Sequence, residues 1–262
     1  MSALLEGVLT DLAQEGDQLE LVLAQLDDDQ WRLPTPAAGW DVATQVAHLA
    51  WTDAAALAAA TDKEAWDALV LDAIADPDHA VDTAALAGGA DAPAVILQRW
   101  RDGRARLSDV LRSLPDGSRI PWYGPPMSAT SMATARFMET WAHSLDVHQA
   151  LDVEPVISDR IRHVAHLGVR TRDFAFAVHG EPAPTEEFSV SLTAPSGAVW
   201  QWGPEDAGQR VSGPARDFCL LVTQRVHRAD TALVAEGVDA DRWLDIAQAF
   251  AGPSGEGRAA RG

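Results

Sequence analysis

Glu139 and His143 stand four residues apart in Met138-Glu139-Thr140-Trp141-Ala142-His143. On a helix that spacing points both side chains to one side. A second histidine, His48, lies far upstream in Val46-Ala47-His48-Leu49-Ala50. One imidazole from a facing helix would complete a set of two nitrogens and one carboxylate oxygen, which leaves a position open on a divalent ion. An i,i+4 pair is also a common exposed spacing. Two local features favour the metal: Glu139 and His143 are flanked by Phe137, Met138 and Trp141, and His48 sits in an apolar run where an idle imidazole would need a partner.

Asp146 continues the stripe of 139 and 143. It suits a carboxylate that orients an imidazole, or an ordinary surface acid. His148 falls off that face and is expected to be exposed. Tyr123, the one tyrosine, can donate a proton or simply pack. A rival cluster, His163, His166, Arg170 and Asp173, follows helical spacing. Its arginine would repel a metal ion, so it reads as a polar seam between domains or part of an anion pocket.

These residues need helices to carry them. Leu4, Leu5, Val8, Leu9 and Leu12 begin a helical pattern that continues to Leu26. Residues 31–39 form a connector with Pro34, Pro36 and Gly39. Asp41 caps a helix running to about Ala60, with His48 near its middle. A short helix spans 63–75, residues 76–92 read as loop, and Pro93 opens a helix to about Leu114. After a rigid aromatic loop, Pro121-Trp122-Tyr123-Gly124-Pro125-Pro126, Ser128 or Thr130 caps a helix to about Leu151. The expected fold is mainly α: a four-helix bundle over 1–155 with a site between helices.

A connecting helix is expected over 156–184, with its helical stretch at 159–178. Residues 185–252 read as a small α+β domain. Phe188, Val190 and Leu192 alternate, and Pro195-Ser196-Gly197 turns toward Val199-Trp200-Gln201-Trp202. Val211 to Pro214 is expected to open a helix over 215–224, followed by a strand at 233–235 and a helix at 239–250. The tail, 253–262, is expected to be disordered.

The 262 residues are 47% hydrophobic and 23% charged, with net charge -19. Such acidity argues against nucleic acid and anionic membranes as partners. No apolar run reaches the roughly 20 residues of a membrane span, and the acidic start does not resemble a signal peptide, so the expected location is cytoplasmic. Lys63 is the only lysine among 20 basic residues, a bias that suits a GC-rich bacterial genome. The lone cysteine, Cys219, excludes an intramolecular disulfide and reads as a small buried hydrophobe.

The stretch Gly39-Trp40-Asp41-Val42-Ala43-Thr44-Gln45-Val46-Ala47-His48-Leu49-Ala50 resembles a segment of the DinB-like bundles, closest to the mycothiol-dependent maleylpyruvate isomerase group. Glu139 to Asp146 resembles that family's E-xxx-H-xx-D segment. The C-terminal part, with Gly213-Pro214-Ala215 and Leu220 to Arg225, resembles the family's small α+β domain. The resemblance implies a divalent metal, usually zinc, on His48, Glu139 and His143. It implies an arginine that binds the thiol or an acid substrate at Arg225, or at Arg228 three positions on. It also implies mycothiol as cosubstrate, since no protein cysteine is placed for the task. Arg170 would assist Arg225 in neutralising a carboxylate. The expected protein is therefore a metal-dependent isomerase or thiol transferase acting on a small molecule, as monomer or homodimer. The alternative is a non-catalytic metal-containing module that binds a small molecule. The Trp122-Tyr123-Gly124-Pro125-Pro126-Met127 loop departs from the family pattern and implies a subgroup with its own substrate.

Overall fold

A computed structural model describes residues 2–252, 254–255 and 257–261. They fall into two compact units that divide between Pro155 and Val156.

In the first unit, α1 (Ala3–Leu23) is capped by Ser2, whose hydroxyl accepts from the Leu5 N–H at 3.1 Å. A 3-10 turn, Gln30–Arg32, leads to α2 (Val42–Thr61). The Asp41 carboxylate caps α2 by accepting from the Thr44 N–H at 2.8 Å. Then come α3 (Lys63–Ala75), α4 (Ala80–Gly89), α5 (Pro93–Ser113) and α6 (Ala129–Leu151). Pro93 occupies the first turn of α5, where its missing N–H costs nothing. Ser128 caps α6, and α6 stops at Asp152, which takes a left-handed conformation (φ 54°).

Helix α2 is the centre of the unit and packs on α4, α5 and α6. Its sequence is apolar and small on every side, as a helix surrounded by others must be. Val42, Val46, Leu49 and Ala50 join Leu19, Trp31, Ile96, Trp100 and Val147 in one buried cluster. The polar residues Gln45, His48 and Asp53 of α2 are buried with them.

Helix α4 corrects the expected loop over 76–92. Its sequence, Ala80-Val81-Asp82-Thr83-Ala84-Ala85-Leu86-Ala87-Gly88-Gly89, has too few large apolar residues to show a periodicity. The closing glycines also read as a break, yet here they are the contact surface. A Cβ on Gly89 would stand 3.0 Å from the Thr44 Cα, and one on Gly88 would stand 3.2 Å from the Ala47 Cβ. The backbone of α4 thereby lies directly on α2.

In the second unit a 3-10 turn (Asp159–Ile161) precedes α7 (Arg162–Arg170) and α8 (Arg172–Val178). The single helix expected over 159–178 is thus broken at Thr171. The Thr171 hydroxyl lies within hydrogen-bond distance of the carbonyls of Leu167 and Gly168 and, at 2.6 Å, of Gln248. Strands β1 (Phe188–Thr193), β2 (Val199–Trp202) and β3 (Gln209–Pro214), helix α9 (Ala215–Val222), strand β4 (Val234–Glu236) and helix α10 (Val238–Ile246) follow. The sheet order is β2-β1-β3-β4, with β1 and β3 parallel and the outer pairs antiparallel. Val211 to Pro214 therefore ends a strand that the sequence reading did not include, and α9 starts after it at Ala215, where the helix was expected. Helix α10 also stops before Phe250, where the Gln248 amide donates to the carbonyls of Phe250 and Gly252 at 2.9 Å each. Phe188, Phe218 and Trp243 pack edge-on at 5.7 Å in the core of this unit.

Of the tail 253–262, Pro253, Glu256 and Gly262 lie outside the described residues, and the others form neither helix nor strand. No described helix is long and apolar enough to cross a membrane.

Candidate metal centre

The site lies between α2 and α6 of the first unit. His48 projects from the middle of α2. Glu139 and His143 come from successive turns of α6. The Nε2 atoms of His48 and His143 both face one carboxylate oxygen, Oε2 of Glu139, at 3.4 and 3.2 Å. One donor atom from each of the three residues lies within 4.8 Å of the others.

The rings are held from outside. Nδ1 of His143 meets the Gln45 carbonyl oxygen at 2.5 Å. That oxygen can only accept, so the imidazole must donate from Nδ1. The Gln45 amide donates in turn to Thr35 Oγ1 at 2.8 Å, and the Thr35 hydroxyl donates to the Trp40 carbonyl at 2.9 Å. The Trp40 indole stacks on His143 with centroids 5.9 Å apart and lies tilted at 5.1 Å from His48.

This network tests whether a metal fits. A neutral His143 that donates from Nδ1 presents a bare lone pair at Nε2. That lone pair faces a carboxylate oxygen, so two acceptors meet at 3.2 Å. The contact is favourable only with a proton on Nε2 or a cation between the groups. Bonds of about 2.0–2.2 Å to a tetrahedral ion put neighbouring donor atoms roughly 3.3–3.6 Å apart, close to the two spacings observed. The residues present fit a divalent ion.

Electrostatics support the ionised carboxylate. Burial pushes the Glu139 carboxyl up, but with a proton on each facing Nε2 the hydrogen bonds from His143 and His48, together with the charge of Arg136, outweigh it and hold it well below the usual carboxylate range. Arg136, one turn before Glu139 and 2% exposed, places Nη2 3.4 Å from Glu139 Oε1.

The other expected residues fall as follows. Asp146 is buried on α6, and the partner of His143 Nδ1 is Gln45. His148 is buried rather than exposed, with Nδ1 2.7 Å from the Ser144 carbonyl, which corrects its expected placement. Tyr123 is 39% exposed and packs with Trp66 at 4.9 Å and Trp122 at 5.3 Å. Burial and then Asp72 push its phenol pKa up. In the second unit, Arg170 ends α7 and Arg225 follows α9, donating to the Thr223 carbonyl at 2.6 Å. Arg228 is ion-paired with Asp241 and, at 2.6 Å, with Asp245. Cys219 is buried, its Sγ 3.4 Å from the Ile161 carbonyl, and burial pushes its thiol pKa up.

Gln45, Trp40 as a ring support, and Arg136 were not singled out from the sequence. Gln45 lies three residues before His48 and Arg136 three before Glu139. That spacing, which puts each on the face of a ligand, was the available signal.

The class of protein defined here is a helical bundle with a two-histidine, one-carboxylate cluster between its helices, followed by a small α+β unit. Residues 12–148, more than half of the chain, match the family model of the mycothiol maleylpyruvate isomerase N-terminal domain. The chain belongs to the mycothiol-dependent maleylpyruvate isomerase family. Residues 184–236 match a second, shorter model described as wyosine base formation. The uncharacterised protein Rv0036c of Mycobacterium tuberculosis is 53% identical over 250 residues, covering 95% of this chain and 97% of its own. Crystal structures of a mycothiol-dependent maleylpyruvate isomerase and of its histidine-to-alanine mutant superpose with a TM-score of 0.60 at 16% identity. Each match covers 90% of this chain and 95% of the other. That likeness carries the mainly helical fold with its small C-terminal sheet.

Proposed function

We propose that this chain is a metal-dependent enzyme that uses mycothiol as cosubstrate to isomerise, or transfer a thiol to, a small unsaturated carboxylic acid. The observation that carries the reading is that His48 Nε2 and His143 Nε2 both face Oε2 of Glu139, with one donor atom from each residue within 4.8 Å of the others. Zinc suits two imidazoles and one carboxylate. Such an ion, when bound, lowers the pKa of a coordinated thiol or water and polarises a carbonyl.

The chain's own residues supply the rest. Gln45 fixes the tautomer of His143, so its Nε2 lone pair is available. Trp40 packs against both imidazole rings and limits their movement. Tyr123, with a pKa raised by burial, remains protonated at neutral pH and serves as proton donor. Arg225, assisted by Arg170, neutralises the carboxylate of the acid, a role that a planar guanidinium fills well. Asp146 is a positioning carboxylate on the metal-bearing helix. Burial leaves the Cys219 thiol un-ionised, so the reactive sulfur comes from the cosubstrate.

The test is product analysis by mass spectrometry. Metal-loaded protein is incubated with mycothiol and a panel of unsaturated mono- and diacids. Turnover that requires both the thiol and His48 supports the reading. Ligand-induced thermal stabilisation without product across the panel contradicts it.

A further inference from the structure

Arg136 is the most heavily buried cation in the metal-bearing unit, and no motif or comparison assigns it a task. It is 2% exposed on α6, one helical turn before Glu139. Its Nη2 lies 3.4 Å from Glu139 Oε1. Its Nε and Nη1 have no hydrogen-bond partner among the described residues. The Trp122 ring centroid stands 5.8 Å from its guanidinium carbon.

A guanidinium buried with two unsatisfied nitrogens is costly unless a nearby charge compensates. The carboxylate of Glu139 supplies that charge. Asp53 of α2 feels Arg136 as its largest opposing charge, and Glu139 is in direct contact. The two oxygens of Glu139 have divided roles: Oε2 faces both imidazoles, and Oε1 faces the arginine.

We propose that Arg136 is a positioning residue of the metal centre: by holding Oε1 of Glu139, it makes Oε2 the single carboxylate ligand and fixes its direction. The role rests on the metal reading above. A cation near a dication is unfavourable in simple Coulomb terms. Here the carboxylate of Glu139 stands between them, so the orienting effect outweighs the repulsion. Residues that orient metal ligands typically change metal affinity by about 10–100-fold when replaced. Without Arg136, Oε1 is released and Glu139 can offer both oxygens to the ion.

The experiment compares the full-length protein with Arg136→Met, Arg136→Gln and Arg136→Lys, each checked for its fold by circular dichroism. Zinc affinity is measured by chelator competition, and coordination by the visible absorption of the cobalt-substituted protein. The Met and Gln variants are expected to bind zinc about 10–100-fold more weakly, with a weaker cobalt band as the coordination number rises. Lys, which keeps a donor, restores part of both. In a Glu139→Gln background the Arg136→Met change has no further effect, whereas a merely structural role would persist there. A wild-type protein that binds no metal overturns the metal centre and this role together. Wild-type binding, with affinity and cobalt spectrum unaltered in both Met and Gln variants, overturns the role of Arg136 alone.

Discussion

Gln45 of α2 and His143 of α6 meet at 2.5 Å, carbonyl oxygen to Nδ1. The bond joins the two helices that carry the candidate metal ligands and decides which imidazole nitrogen is left for an ion. Gln45→Leu, similar in bulk but without an acceptor, should weaken metal binding by about 10–100-fold. Thr35→Val removes only the group that orients Gln45 and should give a smaller loss. Chelator competition measures both, and equal affinity in Gln45→Leu and the parent would contradict the tautomer argument.

Asp53 predicts a pH dependence of stability. Its carboxyl is raised from 3.8 to about 7 by burial, against the opposing charges of Arg136 and Arg104. The folded state therefore binds a proton that the unfolded state releases, and stability falls as pH rises from about 4 to about 7. Three pKa units correspond to about 4 kcal/mol, as an order of magnitude. Asp53→Asn stays neutral, so its stability relative to the parent should rise across that window and level off above pH 7. Denaturant unfolding at a series of pH values checks this; a constant offset across the window would contradict it.

Gly89 predicts a packing cost. A Cβ there would stand 2.9 Å from Thr44 Oγ1 and 3.0 Å from the Thr44 Cα, and backbone cannot yield as a side-chain tip can. Gly89→Ala should destabilise the first unit by about 1–3 kcal/mol, measured by chemical denaturation. Gly7→Ala, with nothing within 4 Å of the added Cβ, is the control and should be neutral or slightly stabilising.

Cys219 should resist thiol reagents in the native protein, because it is buried and its thiol pKa is pushed up. Full labelling should appear only on denaturation. Rapid native labelling would reopen the question of a protein-borne nucleophile.

His48, Glu139 and His143 were legible in the sequence because their chemistry and helical spacing are local, and the GW…H and E-xxx-H segments give them a familial pattern. The long bundle helices were legible for the same reason: their apolar residues recur along one face. Helix α4 was hidden because alanine and glycine carry the contact with α2, and small residues leave no periodic signal. At the break, the Thr171 hydroxyl also meets the Gln248 carbonyl, 77 residues away, a contact no local pattern announces. Arg136 reads as a surface charge until the fold buries it. Gln45 reads as one more polar residue until α6 arrives opposite it.

In the proposed function, His48, Glu139 and His143 hold one divalent ion. Elemental analysis of the purified protein by inductively coupled plasma mass spectrometry tests it most directly. The purified protein should carry close to one equivalent of divalent metal, and both His48→Ala and His143→Ala should lose it. Full occupancy in both variants, or a folded parent protein that takes up no divalent ion when offered one, would contradict it.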